Sequence, residues 1–113
     1  MRTNILSVAA HFSIAATLAA LLAQPVVSAS AKEARVTISN FTFEPQMTSV
    51  PPGSHVTFVN TDDMVHTIVA ADGSFRSPPL ETGQSFVATL GKAGTVTYFC
   101  GLHPFMKGSI VVK

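Results

Sequence analysis

Residues 95–113 read TVTYFCGLHPFMKGSIVVK. The stretch holds two strands and the loop between them. In Thr95–Cys100 the side chains alternate with the period of two that a half-buried strand requires. Val96, Tyr98 and Cys100 therefore share one face. With Val96 and Tyr98 turned inward, Cys100 also points inward, at the strand's end. The chain then leaves the sheet through Gly101-Leu102-His103-Pro104-Phe105-Met106 and re-enters it as Ser109–Lys113. A cysteine, a histidine and a methionine thus share one short loop at one end of the fold.

The same pattern recurs upstream. Ala34–Asn40 reads ARVTISN, with Val36 and Ile38 on one face, and Ser54–Asn60 reads SHVTFVN, with Val56 and Phe58 on one face. Thr67–Ala71 and Ser85–Leu90 are further strands, and Phe41–Phe43 and Met47–Val50 short additional ones. Turn residues separate them: Pro45, Pro51-Pro52-Gly53, Asp72-Gly73, Pro78-Pro79, Gly83, the Gly91–Gly94 stretch and Gly101. Asp72-Gly73 and Gly91–Gly94 predict hairpins or tight connections. Nowhere does a 3.6-residue period persist over a helix length. About seven or eight short strands at this spacing predict an all-β protein, a β-sandwich.

The chain has 113 residues, 47% of them apolar, and a mean hydropathy of +0.40. Much of that hydropathy lies in the first 31 residues. Arg2 is followed by an Ala-, Leu-, Ile- and Val-rich run from Ile5 to Ala23, then Pro25 and a small-x-small exit at Ala29-Ser30-Ala31, with a second at Val27-Ser28-Ala29. This is the pattern of a secretory signal peptide, cleaved after Ala31 or Ala29. It predicts a periplasmic protein with no stable membrane insertion after cleavage. Residues 32–113 remain as one small domain. Length excludes a two-domain enzyme, a Rossmann sheet and a (β/α)8 barrel. Residues 32–113 carry six Lys or Arg and six Asp or Glu. No basic field points to nucleic acid. Cys100 is the single cysteine, which excludes an internal disulfide.

Cys100, His103 and Met106 stand in the spacing C-x2-H-x2-M, which lets three side chains of one tight loop converge on one ion. A fourth donor has to come from another strand end. His66 is the best candidate, because it opens Thr67–Ala71 after the polar turn Asn60-Thr61-Asp62-Asp63. One thiolate, two imidazoles and a thioether form a soft set. Structural zinc favours more thiolates, calcium and magnesium want oxygen, and iron–sulfur clusters want about four thiolates. A Cys-His-His set with a weak axial Met is the blue-copper arrangement. A Cys–His nucleophile is the enzymatic alternative, and a domain this small leaves little material for a substrate cleft. His55 reads as a surface histidine, and Met47 and Met64 as packing or exposed turn residues.

The segments TVTYFCGLHPFMKGSIVV, NTDDMVHTIVAADGSFRS and FTFEPQMTSVPPGSHVTFVN resemble those of the cupredoxins, in collinear order over residues 34–113. The short C-x2-H-x2-M loop, with Pro104-Phe105 inside it, is most similar to the amicyanin type and also plastocyanin-like. The resemblance implies a Greek-key β-sandwich and one type 1 copper ion. It implies His66, Cys100, His103 and Met106 as ligands, with Met106 axial. Three positions depart from the common pattern. Thr67 stands where Asn is usual, Gly101 where Ser or Thr is usual, and Phe58 where Trp is frequent. In the family the first two often hydrogen-bond to each other and brace the two ligand loops. Here the Thr67 hydroxyl can reach backbone instead, and backbone donation to the Cys100 sulfur survives either change.

The function implied is one-electron carriage between Cu(II) and Cu(I), with no enzymatic activity. The alternative is copper delivery, storage or resistance. The apolar rim around His103, made by Leu102, Pro104 and Phe105, implies docking of a cytochrome or dehydrogenase on a monomeric carrier. Asp62, Asp63 and Asp72 are expected as a local acidic rim.

Overall fold

The computed structural model describes residues 31–113. The leader expected over residues 1–31 lies, apart from Ala31, outside the described residues. Eight strands follow in order: β1 (Glu33–Ser39), β2 (Thr42–Glu44), β3 (Met47–Val50), β4 (Ser54–Asn60), β5 (Val69–Ala70), β6 (Ser85–Leu90), β7 (Gly94–Phe99) and β8 (Lys107–Val112). They form two four-stranded sheets, β2-β1-β4-β6 and β3-β8-β7-β5. Both sheets are mixed: β1 runs parallel to β4 and β3 parallel to β8, and the other pairs are antiparallel. The expected all-β, Greek-key sandwich is present.

Alternation builds the core. Val36 and Ile38 of β1, Val56 and Phe58 of β4, and Ile110 and Val112 of β8 all turn inward and are buried. Phe43, Phe58 and Tyr98 form an aromatic centre, with Tyr98 4.8 Å from Phe43 and 5.1 Å from Phe58 between ring centroids, both edge-on. Burying one such side chain contributes roughly 1.5–3 kcal/mol. Phe58 therefore fills the place of the more usual Trp as an ordinary core residue.

Two connections differ from the expected pattern. The strand read over Thr67–Ala71 shrinks to Val69–Ala70. Its first backbone donors are taken by side chains: the Thr67 N–H points at the Cys100 sulfur, and the Ile68 N–H donates to the Ser77 hydroxyl at 2.8 Å. A donor spent that way cannot join a ladder. The Gly91–Gly94 stretch is a tight connection but not a hairpin, because β6 and β7 lie in different sheets. Asp72-Gly73 does close a tight reversal, in which Gly73 (φ +80°) donates its N–H to the Ala70 carbonyl and Val69 bridges to Arg76.

Candidate metal centre

The loop between β7 and β8 is closed by its own backbone. The Cys100 N–H donates to the Met106 carbonyl at 3.1 Å, and the Met106 N–H donates to the His103 carbonyl at 2.9 Å. The Phe99–Lys107 pair of the β7–β8 ladder brackets it. Its residues separate by depth. Cys100 is fully buried and Met106 nearly so, His103 is half-buried, and Leu102, Pro104 and Phe105 are exposed.

His66 comes from the opposite side. Its backbone forms a two-bond bridge with Leu80, at 3.1 and 2.8 Å. The buried Asn60 side chain secures the approach. Its amide donates to the carbonyls of Met64 and Leu80, both at 2.8 Å, and its oxygen accepts the Asp62 N–H. His66 itself is fully buried.

The Nδ1 atoms of His66 and His103 lie 3.7 and 3.8 Å from the Cys100 sulfur. These three donor atoms all fall within 4.8 Å of one another. An ion with bonds of about 2.0–2.3 Å to three trigonal donors needs them roughly 3.6 Å apart. The chemistry of the set, a thiolate and two imidazoles beside a buried thioether on the same loop, suits copper. Three of the four donors read from the sequence, His66, Cys100 and His103, are thus brought together, and Met106 is buried at the far end of the same loop.

Thr67 packs against the Cys100 sulfur. The Thr67 N–H points at Sγ from 3.4 Å, and the Thr67 hydroxyl lies 4.0 Å away. The Thr67 hydroxyl reaches backbone, as its position in the sequence allows. The Gly101 N–H donates to the Thr67 hydroxyl at 2.8 Å, so the two ligand loops remain tied. A Cβ on residue 101 would meet that hydroxyl oxygen at 2.9 Å. Glycine is what lets the threonine approach.

Two residues at the site carry roles that sequence reasoning did not assign. Asp62 Oδ2 accepts the His66 Nε2–H at 2.9 Å and also the Phe41 N–H at 3.0 Å. The Phe41 N–H and then His66 hold the Asp62 carboxyl below the ordinary aspartate value. An ionised carboxylate can only accept, so the proton on His66 sits on Nε2 and the Nδ1 lone pair faces the site. Phe41 follows Asn40, and both have left-handed backbone (φ +56° and +50°). Asparagine tolerates this, whereas a phenylalanine pays on the order of 1–2 kcal/mol. In return its ring stands edge-on to His66 (5.3 Å) and His103 (5.1 Å) and stacks on Phe105 (6.5 Å). The available signals were an acid four residues before the histidine and a bulky residue in the β1–β2 turn.

The acidic rim is not formed as expected. Asp62 is turned onto His66, and Asp72 caps the Ser74 N–H in the turn after β5, beside Thr89 and Lys92. Asp63 stays exposed near Glu81. His55 is exposed and paired with Thr89, and Met47 and Met64 are exposed.

A family model described as a cupredoxin-like domain matches residues 11–112. Amicyanin-alpha of Methylorubrum extorquens is 33% identical over 109 residues, covering 92% of this chain and 92% of its own. Among solved structures, a purple cupredoxin from Nitrosopumilus maritimus superposes with a TM-score of 0.67 at 30% identity, covering 71% of this chain and 99% of that one. An oxidized variant of amicyanin does so with a TM-score of 0.67 at 29% identity, covering 71% of this chain and 81% of that one.

Proposed function

This chain belongs to the cupredoxin-like family, and from that membership we propose that it is an exported electron carrier whose single copper is held by His66, Cys100, His103 and Met106. The observation that carries the ligand assignment is the convergence of His66 Nδ1, Cys100 Sγ and His103 Nδ1 around a buried sulfur. Bound copper supplies a one-electron Cu(II)/Cu(I) couple. The protein's own part is to hold the donors still. Cys100 is fixed at the end of β7 and its thiolate is steadied by the Thr67 N–H. His66 is fixed by Leu80 and Asp62, and His103 and Met106 by the closed loop. Donors mounted this rigidly keep one geometry through both oxidation states.

Burial separates carriage from delivery. A protein that hands copper on needs an accessible ion, whereas Cys100, His66 and Met106 are all buried here. His103 is the ligand that approaches the surface, inside the rim of Leu102, Pro104 and Phe105, with Phe105 71% exposed. A cytochrome or dehydrogenase docking on this rim would come within reach of the His103 ring through a small, transient interface. The carrier acts as a monomer, and the leader over residues 1–31 sends it to the periplasm.

Copper loading tests the reading. The Cu(II) protein should show an intense visible thiolate-to-copper absorption. Cys100→Ser should abolish that band while circular dichroism still reports a folded sandwich, because the strands carry their own core. A colourless loaded wild type would overturn the assignment.

A further inference from the structure

One carboxylate oxygen in this fold serves two distant parts of the metal centre. Asp62 Oδ2 accepts the Nε2–H of His66, the buried ligand, and the N–H of Phe41, which lies 21 positions away in sequence. Phe41 sits in left-handed backbone that a bulky side chain adopts only when its surroundings hold it there. Its amide is held by Asp62. Its ring rests edge-on against both His66 and His103. The Asp62 main chain is itself anchored from both sides, by the Asn60 side chain and by the Thr82 hydroxyl.

We propose that Asp62 and Phe41 form one clasp that positions both histidine ligands: the Asp62 carboxylate orients His66 and strengthens it as a donor, and the ring of Phe41, whose N–H is held by the same oxygen, packs edge-on against His66 and His103 and fixes both. The inference rests on the reading of His66 and His103 as copper ligands and deepens it. A carboxylate on the far nitrogen makes an imidazole a stronger donor. Stronger donation favours the more positive oxidation state. Asp62 thereby lowers the reduction potential, and the Phe41 ring slows the loss of copper by covering the two imidazoles.

Two variants separate the charge from the geometry. Asp62→Asn keeps an oxygen for both N–H groups and removes the charge. It should fold, keep the visible band, and raise the potential by about 59 mV for each tenfold loss of Cu(II) over Cu(I) affinity, with a shift of about one such step expected. Phe41→Gly accepts the left-handed backbone without strain and removes the ring. It should keep the band and release copper to a chelator about tenfold faster. In the metal-free protein, the His66 Nε2–H should be a slowly exchanging proton by NMR, and Asp62→Ala should lose it. If Asp62→Ala does not fold, the Asn variant carries the test. An unchanged potential in Asp62→Asn together with unchanged release in Phe41→Gly, in proteins that remain blue, overturns the clasp. A wild type that never turns blue overturns the ligand reading instead, and the metal-free NMR arm still decides whether Asp62 holds His66.

Discussion

Thr67 and Gly101 show how two substitutions away from a family pattern can be one change. The threonine hydroxyl needs the space that a Cβ on residue 101 would fill, and the glycine N–H needs the acceptor that the hydroxyl provides. Gly101→Ala should therefore push the two ligand loops apart. We expect a loss of about 1–2 kcal/mol in denaturant unfolding, within the usual range for overpacking, and a shifted visible band in the copper protein. Thr67→Ala alone should leave the Gly101 N–H without its partner. The double variant should cost less than the two singles together, as neighbours in contact do. Additive losses would mean that the brace does not couple the loops. Gly101 is visible in the sequence as a departure, but the sense of that departure needs the distance between residues 34 positions apart.

At the level of strands, β7 and β8 hold the functional loop, and their packing is tighter than the alternation pattern suggests. Gly108 faces Tyr98 across the β7–β8 pair. A Cβ built on Gly108 would overlap the Tyr98 hydroxyl and ring. Tyr98 is 1% exposed, and burial pushes its phenol well above the ordinary tyrosine value. Gly108→Ala should accordingly destabilise the sandwich by on the order of 1–3 kcal/mol. Adding Tyr98→Phe should rescue only part of this, because the ring carbon as well as the oxygen stands in the way. Complete rescue would show that only the hydroxyl conflicts. Strands of the other sheet were legible as segments, since Ser54–Asn60 and Ser85–Leu90 fall where the alternation puts them. Thr67–Ala71 was not, because its backbone donors go to a sulfur and a serine, partners that no local pattern announces.

For the molecule as a whole, charge and shape argue together. Residues 32–113 balance six basic against six acidic side chains, and Asp62 is occupied by His66. The exposed rim at the centre is apolar. Electron exchange with a partner should therefore depend only weakly on ionic strength, unlike that of a carrier steered by a charged face. Stopped-flow rates against a soluble cytochrome across a salt series would check this, and a steep fall with salt would place docking on a charged surface elsewhere. Local chemistry in the sequence determined the inward faces of the strands, the lone thiol and the C-x2-H-x2-M loop, because side-chain alternation and loop spacing are properties of neighbouring residues. Only the tertiary structure decided that β1 lies parallel to β4, that Gly101 serves Thr67, and that Asp62 joins Phe41 to His66. Those contacts depend on residues far apart in the chain, which become neighbours only once β1 lies beside β4 and β5 beside β7, and no local pattern fixes that pairing.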